Sequence, residues 1–180
     1  MDGYSVELGF DKKAEAKLIK VGIAVAKAGL HAEFLNDANV PHLTLAALHS
    51  KSDPEKLSEV VSHFAKTVPP FHITFHSVAQ FIASQNVVYL APLMTADLFS
   101  MYQRCHTELT TAGLETGFYH RAKSWTPHTT ITMKGPSQDV AETMQIVRKS
   151  PVFNIPMPIT SIKVVWYAPF KLIDQFELKG

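Results

Sequence analysis

The chain has 180 residues, 46% of them hydrophobic and 18% charged, with a net charge of +1. That length suits one substantial domain or two intimately packed lobes, and the near-zero charge argues against a broad surface for long duplex DNA while leaving a nucleotide or short RNA open. With Cys105 as the single cysteine, an intrachain disulfide and a cysteine-based metal cluster are both excluded.

Tyr4–Phe10 alternates apolar Tyr4, Val6, Leu8 and Phe10 with Ser5, Glu7 and Gly9, the period of a half-buried strand. Asp11 is a fitting N-cap for a helix whose stripe is Leu18, Val21, Val25 and Ala28, stopping at Gly29. After a polar stretch, Pro41 introduces a strand over His42–Leu48. Asp53-Pro54 then opens a helix with Leu57, Val60, Val61 and Phe64 on one face, closed by Pro69-Pro70. Phe71–Ile82 predicts a long strand.

The pattern then restarts. A strand over Val87–Ala91 leads to a helix capped by Thr95, with a stripe of Leu98, Met101, Tyr102, Cys105 and Leu109 that ends near Gly113. Pro127 introduces a strand over His128–Met133. Pro136-Ser137 opens a further helix that buries Val140, Met144 and Val147, and strands follow around Ile162–Ala168 and Leu172–Leu178. Each half reads strand, helix, Pro-His-x-Thr strand, helix, strand, with the two motif histidines 86 positions apart. The expectation is a duplicated α+β unit: one domain over residues 1–180, with lobes of approximately 1–82 and 83–180 that can exchange terminal strands.

Within a strand, residues i and i+2 share a face, so His42 with Thr44, and His128 with Thr130, each set an imidazole beside a hydroxyl. The imidazole can move a proton and the hydroxyl can bind a phosphate oxygen. Singly the tripeptide is a weak signal, because about one His-x-Ser/Thr match is expected by chance. The chain has three, including His72-Ile73-Thr74. The preceding proline and the equivalent place in each half select His42 and His128. His72 lacks both and reads as structural or surface-facing, and His49, His63 and His106 receive no role.

On these residues the chain resembles the 2H phosphoesterase superfamily, in particular its 2′-5′ RNA ligase-like and cyclic phosphodiesterase branch. The resemblance spans Tyr4–Asp11, Pro41-His42-Leu43-Thr44-Leu45, Phe71–Phe81 with Val87–Pro92, Tyr119–His128 and the terminal strands. It implies a bilobal α+β fold with pseudo-twofold symmetry, mainly antiparallel sheets lining a central groove, helices outside, and the motif strands facing across the groove. Two departures are visible: Thr129 stands where the motif usually has an apolar residue, and the chain start lacks the Arg-x-Phe-x-Ala pattern of the bacterial RNA ligase enzymes.

The expected chemistry is hydrolysis of a nucleotide or RNA phosphodiester, a 2′,3′-cyclic phosphate or a 2′-5′ linkage. One histidine takes a proton from water and the other protonates the departing ribose oxygen, while Thr44 and Thr130 grip nonbridging oxygens. No cofactor is expected and no metal, since two histidines with hydroxyl partners make a poor zinc site. Arg121 is a candidate phosphate clamp, and Tyr119 and Trp125 are candidate stacking platforms for a base. The alternative from another class is a noncatalytic nucleotide- or RNA-end-binding sensor using the same groove. The opening Met1-Asp2-Gly3-Tyr4 lacks a signal-peptide pattern and no apolar run reaches membrane-spanning length, so a cytoplasmic monomer, with a nuclear pool open, is the starting expectation.

Overall fold

A computed structural model of the chain describes residues 2–31, 39–82, 86–117, 124–167 and 169–180. The first strand, β1 (Gly3–Phe10), is flanked on both sides, by β2 (His42–His49) and by β6 (Pro156–Tyr167). Alternation predicts a half-exposed strand there, but Ser5 and Glu7 are each only 4% exposed. β1 is central, and its polar face is covered as well as its apolar one.

Between β1 and β2 runs α1 (Lys12–Lys27), where the Asp11 carboxylate accepts from the Ala14 amide and so satisfies one of the free donors of the first turn. Asp53 does the same for α2 (Pro54–Ala65), and the Thr95 hydroxyl for α3 (Ala96–Thr111). The strand pair β3 (Phe71–Phe81) and β4 (Val87–Pro92) separates these two helices. Beyond α3 come β5 (Thr129–Thr132), a short 3₁₀ turn over Ser137–Asp139, α4 (Val140–Arg148), then β6 and β7 (Phe170–Glu177).

Two elements differ from expectation. β6 begins at Pro156, because its first residues pair with Phe71–Thr74 of β3; Pro156 and Pro158, which carry no backbone donor, hide this stretch from pattern reading. In α4 the buried face is Val140, Thr143 and Val147, with Met144 half-buried.

The seven strands are hydrogen-bonded in the order β2-β1-β6-β3-β4-β5, with β7 on β6, and all named pairs are antiparallel. This is an α+β fold. One edge of β6 carries β1; the other carries first β3 and then β7. α2 packs on β6 and β7, α3 on α2 and β2, and α1 on α4 and β5, so helices cover both parts of the sheet. β2 and β5 stand at opposite ends of the hydrogen-bonded path, yet Cα atoms of the two approach within 8 Å. The sheet therefore curls until its two motif-bearing ends meet. Among the described residues no helix is long and apolar enough to cross a membrane.

Candidate active site

The two motifs are built alike. His42 Nδ1 lies 2.9 Å from the Val40 carbonyl oxygen, and His128 Nδ1 lies 2.7 Å from that of Thr126. In both cases the acceptor belongs to the residue two places earlier, with a proline between. A residue before proline is held extended, which sets the carbonyl where the ring can reach it. Nδ1 therefore donates, and Nε2 is left as the working nitrogen of each ring.

His42 sits in β2 directly opposite Gly9, and Thr44 opposite Glu7. β5 is shorter than expected: its ladder with β4 begins at Thr129, which pairs with Leu90, so His128 stands just ahead of the strand. Thr44 and Thr130 are half-buried, and among the described residues neither hydroxyl is used in a side-chain hydrogen bond. Thr129 points away from this face, fully buried, with its hydroxyl unpartnered.

The surroundings of the two imidazoles differ. Glu7, unassigned by sequence reasoning, brings Oε2 to 3.5 Å from His42 Nδ1, and its Oε1 accepts from the Ser5 hydroxyl at 2.6 Å. His128 is wedged edge-on against Phe81 and Tyr89, with ring centroids 4.9 and 5.2 Å away. Burial lowers the His128 pKa, the Thr126 carbonyl partly opposes this, and positive charge on His42 lowers it further. The approach of β2 to β5 within 8 Å between Cα atoms is what brings the two motif stretches together. Glu7 is a charge in a strand whose burial on both faces shows only in the fold.

Trp125 is placed otherwise than a stacking platform. It is 8% exposed, stacks on Tyr102 at 4.0 Å between centroids, and donates from Nε1 to the Thr44 carbonyl at 3.0 Å. Its ring is spent inside the fold, where it ties the approach to β5 onto β2. His106, expected to be idle, does similar work: Nε2 lies 3.0 Å from the Leu45 carbonyl, so this nitrogen donates and Nδ1 accepts from Thr116. Tyr119 and Arg121 fall outside the described residues. His72, His49 and His63 are exposed. An open hollow of about 770 Å³ beside α3 is bordered by His106 and Thr110 but by neither motif pair. Among the described residues no group of three or more His, Cys, Asp or Glu side chains gathers at metal-binding range.

A sequence model of the 2′-5′ RNA ligase superfamily matches residues 22–169, a span that contains both motifs. The chain belongs to this family of 2H phosphoesterases. Membership supports a phosphoesterase and agrees with the resemblance read from the motifs. Among curated proteins none matches the sequence. Solved 2H structures share the fold at low identity. TT0787 of Thermus thermophilus is 16% identical with a TM-score of 0.67, covering 100% of this chain and 99% of its own. Escherichia coli LigT, solved with 3′-AMP, is 18% identical with a TM-score of 0.65, covering 99% and 98%. Usb1 of Kluyveromyces marxianus is 10% identical with a TM-score of 0.52, covering 96% of each chain.

Proposed function

We propose that this 2H phosphoesterase hydrolyses a nucleotide or short-RNA phosphodiester, a 2′,3′-cyclic phosphate or a 2′-5′ linkage, by two-histidine acid–base catalysis without a metal. The observation that carries this is the matched pair of imidazoles, each fixed through Nδ1 to the carbonyl two residues upstream, which leaves Nε2 for chemistry, and each followed two residues later by a threonine. The 3′-AMP bound by LigT has the form of a product of such a reaction and supports the reading. The donor set is suited to protons and phosphate oxygens and poorly suited to zinc, so activity should persist in excess chelator.

His128, its pKa lowered mainly by burial, is the base; His42, with the Glu7 carboxylate beside it, is the acid. With a cyclic phosphate, His128 Nε2 takes a proton from water as the water oxygen bonds to phosphorus. The bond from phosphorus to one ribose oxygen breaks, and His42 Nε2–H delivers its proton to that oxygen. Thr44 and Thr130 donate to the nonbridging oxygens as negative charge builds there. With a 2′-5′ linkage the neighbouring ribose hydroxyl replaces water.

Acid and base roles are each worth roughly 10²–10⁴-fold. Replacing His42 or His128 by alanine should therefore reduce kcat on a nucleoside 2′,3′-cyclic phosphate by that order, and Thr44→Val or Thr130→Val by less. Steady-state kinetics of the four variants check this. Wild-type turnover by either histidine variant would remove the mechanism, and binding without turnover by the native protein would leave a sensor.

A further inference from the structure

Lys163 is the only buried lysine or arginine among the described residues, at 8% exposure. It lies in β6 opposite Glu7, while Gly9, two residues along β1, lies opposite His42 on the other side. Its side chain leans back across β1. A Cβ on Gly9 would come within 3.0 Å of Lys163 Cε and 3.5 Å of Nζ, and would collide with the Ser161 hydroxyl. Glycine at this place is what lets the ammonium pass over β1 toward the first motif histidine.

The charges facing the ammonium are Glu15 and Lys12 from α1, Glu7 from β1 and Glu177 from β7. Among the described residues none makes an ion pair with it within 4.0 Å. The nearby carboxylates are otherwise engaged. Glu7 holds the Ser5 hydroxyl and stands beside His42, and Glu15 holds Lys12 at 3.2 Å. The residue is enclosed along its length, and an ammonium with no ion-pair partner at its tip is placed to meet an anion that reaches it. His42 and Thr44, which pair with Gly9 and Glu7, lie on the same face of the sheet as Lys163.

We propose that Lys163 is an anion anchor of the groove, its ammonium carried over Gly9 to the side of His42, where it binds a phosphate oxygen of the substrate. This rests on the proposed phosphodiester reading. As a compact point charge, lysine neutralises the added charge of the pentacoordinate phosphorus formed on attack without fixing its orientation, a task left to the two threonines.

Inorganic phosphate is the probe, titrated calorimetrically into the full chain, because its binding needs no turnover. Lys163→Met keeps the length of the side chain and removes the charge. It should weaken phosphate binding about tenfold or more, and lower kcat/KM on a 2′,3′-cyclic nucleotide to a similar degree. Gly9→Ala retains the charge but obstructs its path, and should weaken phosphate in the same direction. It stands in for Lys163→Met if that variant fails to fold. Unchanged phosphate affinity in a folded variant, or no phosphate binding by the wild type, overturns the anchor. A wild type that binds phosphate through Lys163 and turns over no cyclic phosphate overturns the enzymatic reading alone.

Discussion

Val40 and Thr126 precede prolines, and their carbonyls each hold a histidine Nδ1, so the tripeptide motif is in effect a pentapeptide whose first two positions choose the working nitrogen. The surroundings of the two rings then differ. His128 titrates below its ordinary 6.5, first because it is buried and last because His42 is charged. As the proposed base it is competent when neutral, so the acid limb of kcat/KM should fall below pH 6.5. His42→Gln removes the opposing charge, and the His128 pKa, followed by NMR, should rise toward 6.5; a fall would contradict the assignment. The same sign governs stability. His128 and His106 both titrate low in the fold, so the unfolded chain binds more protons, and their contribution is present above about pH 6.5 and lost as pH drops through the folded values. Thr129, fully buried with an unpartnered hydroxyl, gives a second test: Thr129→Val should raise stability by about 1 kcal/mol in urea titrations. The four candidate motif residues could be picked from the sequence because proline, histidine and threonine recur in register with a repeated framework. Glu7 and Lys163 could not, because β1 and β6 are over 140 residues apart and only their pairing brings the two side chains opposite each other.

β2 is an edge strand, and an edge leaves backbone carbonyls to be satisfied. Three donors from elsewhere close it: Trp125 Nε1 on Thr44, His106 Nε2 on Leu45, and the Gly117 amide on Ala47. Tyr102 packs against both Trp125 and His106, so one aromatic cluster holds the strand where its register with β1 shifts, directly after Thr44. Trp125→Phe keeps a ring against Tyr102 but removes the donor. It should cost roughly 1–3 kcal/mol by denaturant titration, for an unsatisfied buried carbonyl. It should also lower kcat/KM through Thr44; wild-type stability and activity together would show that the indole bond is idle. The helices were legible from caps and stripes. This clasp was not, since aromatic periodicity in α3 looks the same whether the rings fill a core or steady a motif.

The curled sheet brings the motif stretches of the two halves together. β2 and β5 are the two ends of the hydrogen-bonded path, and only curvature over the whole path, through the central β6, returns one end to the other. Element order and the α+β class could be read along the chain from hydrophobic period and turn residues. The closure could not, because it arises from pairings between strands of both halves, including a stretch of β6 disguised by two prolines. The central claim, that the motifs of both halves form one phosphodiesterase site, is tested most directly by a product-resolved assay. Nucleoside 2′,3′-cyclic, 3′,5′-cyclic, 2′-5′-linked and 3′-5′-linked substrates would be offered in excess chelator, with the His42→Ala/His128→Ala variant as control. The account predicts opening of the 2′,3′-cyclic phosphate or cleavage of the 2′-5′ linkage by the native protein and no turnover by the double variant. Equal activity in the double variant would contradict it.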